Sequence, residues 1–436
     1  DPAMQRSRTW FWLVLLLCSV PCAVAQSTTG PPSASSPAPS DSSASGPTAD
    51  APAAETPWDR AETYVEDHGE EYVGLATNPA RPFGNESAVY RAAPPLRYNR
   101  VEGLVLGLRR APLSLRDPDD TARIYGQLGY AFALRDVRYT IGVESKLIRD
   151  EETGLKLGVS YEKQTLTPDR WKTSYAENSL GGLGLGYDFF DYYEGEGLSV
   201  YAVQALPSTF RLTAGVRFEE HRPVSRNTGW SLFEAASFRP NPTAEAGRLH
   251  AGTVSLEGGH VEDRDDLPTG AAFRTTATIG TAFGGDLRAN RYEVDGRAFL
   301  PLSDDTRLGL RLRGGYATSD APPQQQFALG GIGSVRSYDQ NALRGTRMLL
   351  GNAEYIIDGA TLDDNFLDDL FLVGLFDAGW VGGPDSRFRV GDVLPSAGFG
   401  IGLDDREVRL DVAWPLRTVP DTGSRPSIWL RISPNF

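Results

Sequence analysis

Val408-Arg-Leu-Asp-Val-Ala-Trp-Pro-Leu416 alternates residue by residue. In an extended chain successive side chains point to opposite faces. Val408, Leu410, Val412, Trp414 and Leu416 therefore share one face, and Arg409, Asp411 and Ala413 the other. Outward from it the same period recurs. Leu308, Leu310 and Leu312 oppose Arg307, Arg311 and Arg313; Ala397, Phe399, Ile401 and Leu403 oppose Gly398, Gly400 and Gly402; Ile428, Leu430, Ile432 and Phe436 oppose Trp429, Arg431 and Asn435. Alternation of this kind marks half-buried strands. Runs of roughly 9 to 12 residues suit a tilted strand that crosses a bilayer.

A soluble sandwich shows the same alternation, so parity has to decide. The runs fall at 100–110, 122–134, 137–147, 155–165, 179–189, 197–206, 210–221, 247–258, 271–283, 290–301, 306–317, 346–357, 368–379, 395–403, 406–415 and 427–436. The glycine-rich run at 179–189 is the weakest of them. Tight turns at Arg135-Asp136, Pro207-Ser208, Ser303-Asp304-Asp305 and Asp404-Asp405 then share one side. Longer polar stretches, 318–345 among them, share the other, and 259–270 is a long exception on the short side. An even strand number with short periplasmic turns and longer outer loops is the rule for bacterial outer-membrane barrels. The expected fold is all-β: an antiparallel transmembrane β-barrel of about 16 strands, with a loop between strands 11 and 12 folded inward.

Composition narrows the partners. The 436 residues carry a net charge of −14. Nucleic-acid binding needs a basic face, so no nucleic-acid partner is expected. The two cysteines, Cys18 and Cys22, lie near an apolar run from Trp10 to Leu17, after Arg6 and Arg8 and before Ala23-Val24-Ala25. That is a secretory signal, so 1–25 is expected to be removed, with Asp1–Ala3 upstream of the start at Met4. Residues 26–57, rich in Ser, Pro and Ala, read as a disordered linker. Residues 58–97 read as a short periplasmic segment with one possible helix at 58–75, and 98–436 as the barrel.

Between two alternating runs lies Phe327-Ala-Leu-Gly-Gly-Ile-Gly-Ser-Val-Arg-Ser-Tyr338. Gly330, Gly331 and Gly333 allow tight turns or a close approach of another chain. Arg336 is its lone charge. With Gly351-Asn-Ala-Glu354-Tyr355 after it, this stretch resembles the BamA/TamA-like outer-membrane assembly and translocation superfamily, also called the bacterial surface antigen family. Ser337 stands where that family has glycine. Tyr98-Asn-Arg-Val-Glu-Gly103 resembles the start of the barrel in one subgroup.

The resemblance implies a barrel in the bacterial outer membrane. It implies a loop locked in the lumen by Gly330, Gly331, Gly333, Val335, Arg336, Ser337 and Tyr338, with Glu354 and Asp377 as the arginine's partners. Phe436, the terminal aromatic, would be the targeting signal. In a watery lumen such a pair would contribute only about 0–1 kcal/mol. The family's periplasmic transport modules are not visible, so they are missing or supplied by another chain.

No catalytic or metal site and no cofactor is expected. His68, His221, His250 and His260 lack metal-ligand spacing. His250 with Ser255 is a weak lipase-like pair, and Asp263, Asp265 and Asp266 read as a solvated turn. Tyr192, Tyr193, Trp380, Trp414 and Trp429 read as an aromatic girdle. Three functions remain: insertion or translocation of client polypeptides at the seam between first and last strands, a passive channel lined by arginines, or an accessory protein acting through a periplasmic partner. Outer-membrane lipid is a partner in each.

Overall fold

The structure is a computed structural model that describes Phe83 and residues 88–113, 121–150, 153–264, 267–358, 370–403 and 408–432. The expected signal peptide, the linker, the helix at 58–75, the Asp265-Asp266 and Asp404-Asp405 turns and Phe436 lie outside these residues.

Eighteen strands form among them: β1 (Arg97–Asn99), β2 (Gly103–Arg110), β3 (Ala122–Ala131), β4 (Asp136–Ile148), β5 (Leu155–Leu166), β6 (Tyr193–Ala205), β7 (Arg211–Pro223), β8 (Gly247–Arg264), β9 (Leu267–Ile279), β10 (Asn290–Ser303), β11 (Thr306–Ala317), β12 (Phe327–Leu329), β13 (Leu343–Gly345), β14 (Arg347–Asp358), β15 (Leu370–Gly382), β16 (Leu394–Leu403), β17 (Val408–Pro415) and β18 (Ser427–Ile432). Sixteen make one antiparallel sheet in chain order; β12 and β13 pair separately within the 318–346 loop.

The sheet is polar within and apolar without. Leu108, Leu312 and Ile428 are 78%, 68% and 69% exposed, whereas Arg138, Arg307 and Arg431 are each 1% exposed. A soluble sandwich would reverse these values, because burying charge is costly and exposing leucine in water gains nothing. A sheet facing hydrocarbon requires this inversion.

Several expectations need correction. Residues 179–189 are not a strand. Helix α1 (Tyr175–Leu180) continues as one turn of π-helix, Gly181–Leu185, and ends at Gly186 with φ 79°. The Ser174 hydroxyl accepts the Glu177 amide at 3.0 Å and caps α1. With hydrogen-bonding caps at both ends, the glycine run closes a helical turn, and the even spacing of Leu183 and Leu185 carries no strand signal.

The sixteenth strand is instead the three-residue β1, paired to β2 across a turn at 100–102. The first long strand is therefore inverted relative to expectation. The turn at Arg135-Asp136 lies on the rim of the long loops, opposite Pro207-Ser208 and Ser303–Asp305. The long connection expected at 259–270 is also wrong, since β8 and β9 pair as far as Arg264↔Leu267.

The inversion is accommodated by the N-terminal segment, which climbs the inner face. The Phe83 ring packs with Val261, Ala272 and Phe299 near the short-turn rim. Tyr90 donates to Glu144, and Arg91 pairs with Glu162 at 2.5 Å and with Glu219. The Ala93 carbonyl accepts from Gln127 at 2.9 Å. Arg97 then holds Glu102 at 2.6 Å at the long-loop rim.

The sheet is not closed by strand pairing. No strand pairing joins β1 to β18 among the described residues, and α1 bonds to both of them.

Candidate functional site

The glycines of the 327–338 stretch have the backbone that only glycine adopts at little cost. Gly330, Gly331 and Gly333 have φ of 114°, 82° and 65°. A Cβ on Gly333 would collide with the Lys172 carbonyl, and one on Gly330 with that of Asp339. Val335, Ser337 and Tyr338 are buried. Val335 packs with Trp171, Leu329 and Leu350, and the Tyr338 hydroxyl donates to the Arg417 carbonyl at 2.8 Å.

These contacts hold Arg336 at 1% exposure, against strands β14, β15 and β17. Its guanidinium donates to Asp377 Oδ1 at 3.0 Å and to Glu354, and its amide donates to Asp377 Oδ2 at 3.1 Å. Asn352, directly across the strand pair from Asp377, donates to the same carboxylate at 2.7 Å. Burial opposes the charge on Arg336, but Asp377, Glu354 and Asp411 outweigh it and raise the pKa.

The arrangement is larger than the sequence indicated. Arg409 grips Glu354 through two hydrogen bonds of 2.9 and 3.0 Å and pairs with Asp411 at 2.7 Å. Asp411 lies 3.5 Å from Arg336 and 4.0 Å from Arg431. Arg431 meets Glu177 of α1 at 2.8 Å, and the same carboxylate oxygen accepts the Ile432 amide at 3.1 Å. The Arg336 carbonyl accepts from Ser427 at 2.8 Å and from Trp429 Nε1 at 2.9 Å. A chain of charges thus runs from the loop to the edge of β18. Gly400 leaves room for it, because a Cβ there would strike Asp411.

The expectation of a weak, watery pair does not hold, because Glu354, Asp377 and Asp411 are 3%, 1% and 0% exposed. In such surroundings a partnerless charge costs several kcal/mol, although the intact pair adds little net stability.

Arg409 and Asp411 were visible as the inner face of the 408–416 alternation. Glu177 carries no signal in the sequence, because it falls in the connection before the 179–189 run.

A second network ties the loop to the rim. Asp191 meets Arg239 and Arg344, each at 2.5 Å, and accepts from Asn341 at 2.8 Å. Arg100 lies 3.1 Å from Asp188. Burial alone would raise the Asp191 pKa, but Arg239, Arg344, Arg100 and Lys172 together hold it at about 2.

Other candidates dissolve. His250 and Ser255 are an odd number of residues apart on β8 and face opposite sides; the Ser255 hydroxyl meets Thr276 at 2.9 Å. Tyr192 is buried ahead of β6 and Trp429 bonds inward, whereas Trp414, 40% exposed, faces outward and Trp380 stands across from the exposed Leu349 on the outer face, covered by Phe388. Strand parity turns Trp429 inward, because Ile428 and Leu430 on either side of it are exposed.

Among solved structures, the chain is similar to BamA from Haemophilus ducreyi lacking POTRA domains 1–3. Identity is 12% and TM-score 0.45, covering 76% of this chain and 67% of that one. It is similar to CdiB from Acinetobacter baumannii at 14% identity and TM-score 0.42, covering 71% of this chain and 53% of that one. For CdiB from Escherichia coli the values are 13% and 0.40, with 77% and 60% covered. The chain therefore spans between about half and two thirds of these proteins. No curated protein sequence matches. The Omp85 superfamily domain matches residues 121–436, and the chain thus belongs to the Omp85 superfamily of bacterial outer-membrane β-barrel proteins.

Proposed function

We propose that this protein aids the insertion or translocation of client polypeptides at the outer membrane, and that the working site is the seam between β1 and β18. The observation that carries this reading is the missing strand pairing there among the described residues, in a sheet paired at every other step. An unpaired edge offers a row of backbone donors and acceptors to an extended segment. Arg336 and its carboxylates serve as a latch that fixes the 318–346 loop on the inner wall, with its carbonyl holding the last strand through Ser427 and Trp429. A separate periplasmic partner would deliver the client.

The passive channel has less support. Arg311 and Arg313, its expected selectivity surface, both pair with Asp295, at 3.1 Å (Arg311 Nε) and 2.6 Å (Arg313), and both stack on Trp171. The N-terminal segment occupies the same inner face through Tyr90 and Arg91.

The test is assisted folding. An urea-unfolded outer-membrane barrel is diluted into lipid vesicles with and without this protein, and folding is followed by its heat-resistant mobility on gels. The proposal expects the protein to accelerate folding; equal rates in both vesicle populations oppose it.

A further inference from the structure

The seam is filled by a segment that belongs to neither flanking strand. α1 caps one main-chain amide on each of its edges. Its Ser179 hydroxyl accepts the Tyr98 amide of β1 at 3.1 Å. Its Glu177 carboxylate accepts the Ile432 amide of β18 at 3.1 Å and binds Arg431 at 2.8 Å. These are main-chain donors that a neighbouring strand would otherwise take.

The filling is also finished for hydrocarbon. Carbonyls at the end of the π-turn, Leu183, Gly184 and Leu185, accept from the amides of Leu232, Phe233 and Ala236 at 2.8, 3.0 and 3.0 Å. Irregular backbone turned away from water requires such partners. Around it Leu180, Trp230, Leu232 and Phe233 are exposed and continue the apolar outer surface. Yet the piece is short, and both of its hydrogen-bonded contacts with β18 among the described residues, to Arg431 and to the Ile432 amide, run through one side chain. A single carboxylate, Glu177, is both the edge cap and the ionic bolt.

We infer that α1 with its π-turn is a built-in stopper of the seam, bolted by Glu177 to Arg431, which competes with an extended client segment for the edges of β1 and β18. The inference rests on the reading of the seam as the working site and adds its regulation. An incoming strand replaces the Ser179 and Glu177 hydrogen bonds with a main-chain ladder, so exchange leaves no edge amide bare. The bolt also joins the Arg336 network through Arg431 and Asp411, so the stopper and the inner loop share one chain of charges.

The experiment uses a photoreactive synthetic peptide with the sequence of residues 425–436 as the extended probe. Its initial rate of crosslinking to β1 and β18 is measured on the full protein in vesicles. Glu177→Gln keeps the shape and removes the charge, and the rate is expected to rise roughly tenfold or more. Glu177→Cys/Arg431→Cys, joined by a short reducible linker, is expected to crosslink at background until the linker is cleaved. Heat-resistant gel mobility certifies folding in each case. Equal crosslinking of the linked and cleaved forms overturns the stopper and leaves the seam reading intact. No crosslinking in any form overturns both.

Discussion

Replacing Arg336 with alanine tests how the loop is held. The side chain is 1% exposed and touches Asp377, Glu354 and Asp411. With Arg409, Arg431 and Glu177 these make three arginines facing four carboxylates. Removal leaves two arginines against four carboxylates, all buried. Glu354 and Asp411 keep their bonds to Arg409, so Asp377 is the group that loses its ion pair, keeping Asn352 and the residue 336 amide as donors. Breaking a buried pair from one side costs about 3–5 kcal/mol, against about 0–1 for a solvated one. Arg336→Ala should therefore lose about 3 kcal/mol or more, read from the urea midpoint by tryptophan fluorescence in lipid or detergent at unchanged slope. Adding Asp377→Asn should recover part of that loss, because the stranded charge is gone. A loss below about 1 kcal/mol, or a double variant no better than the single, would refute the buried latch.

Other perturbations reach other parts of the same account. Gly333→Ala forces a left-handed alanine against the Lys172 carbonyl; a loss of about 1–2 kcal/mol or more and new protease cleavage within 318–346 are expected. Asp191 has a depressed pKa, so its contribution is complete above the unfolded value of about 3.9 and is lost as pH falls through about 2. Proteolysis by pepsin at the Arg239 and Arg344 loops should accordingly rise between those pH values and not above them. Arg91→Ala leaves Glu162 and Glu219 without their shared cation on the inner face. Single-channel recordings should show higher ion conductance than the unaltered protein; unchanged conductance would mean the N-terminal segment does not occlude the lumen.

Much of the wall was legible in the sequence because lipid on one side and charge on the other enforce a strict period of two. Arg409 and Asp411 point inward for the reason that Val408 and Leu410 point outward. The family stretch around Arg336 was legible because its glycines and single arginine stand out from any strand. What period two could not deliver was connectivity. The 179–189 run is rich in glycine, and Leu183 and Leu185, two residues apart, mimic a strand, so the end of α1 and its π-turn read as one. That error restored the even strand count while inverting the strands before it. The climb of residues 88–96 was illegible for a different reason: irregular backbone is fixed by partners such as Glu144, Glu162 and Gln127, which lie far away in sequence.

The seam is the centre of the account, and site-specific crosslinking during assisted folding tests it most directly. A photoreactive residue replaces Leu430 on β18 or, as a control, Ile141 on β4; both side chains are exposed, at 51% and 61%. Clients captured at 430 and absent at 141 are the predicted result. Equal capture at both positions, or assisted folding with capture at neither, would contradict it.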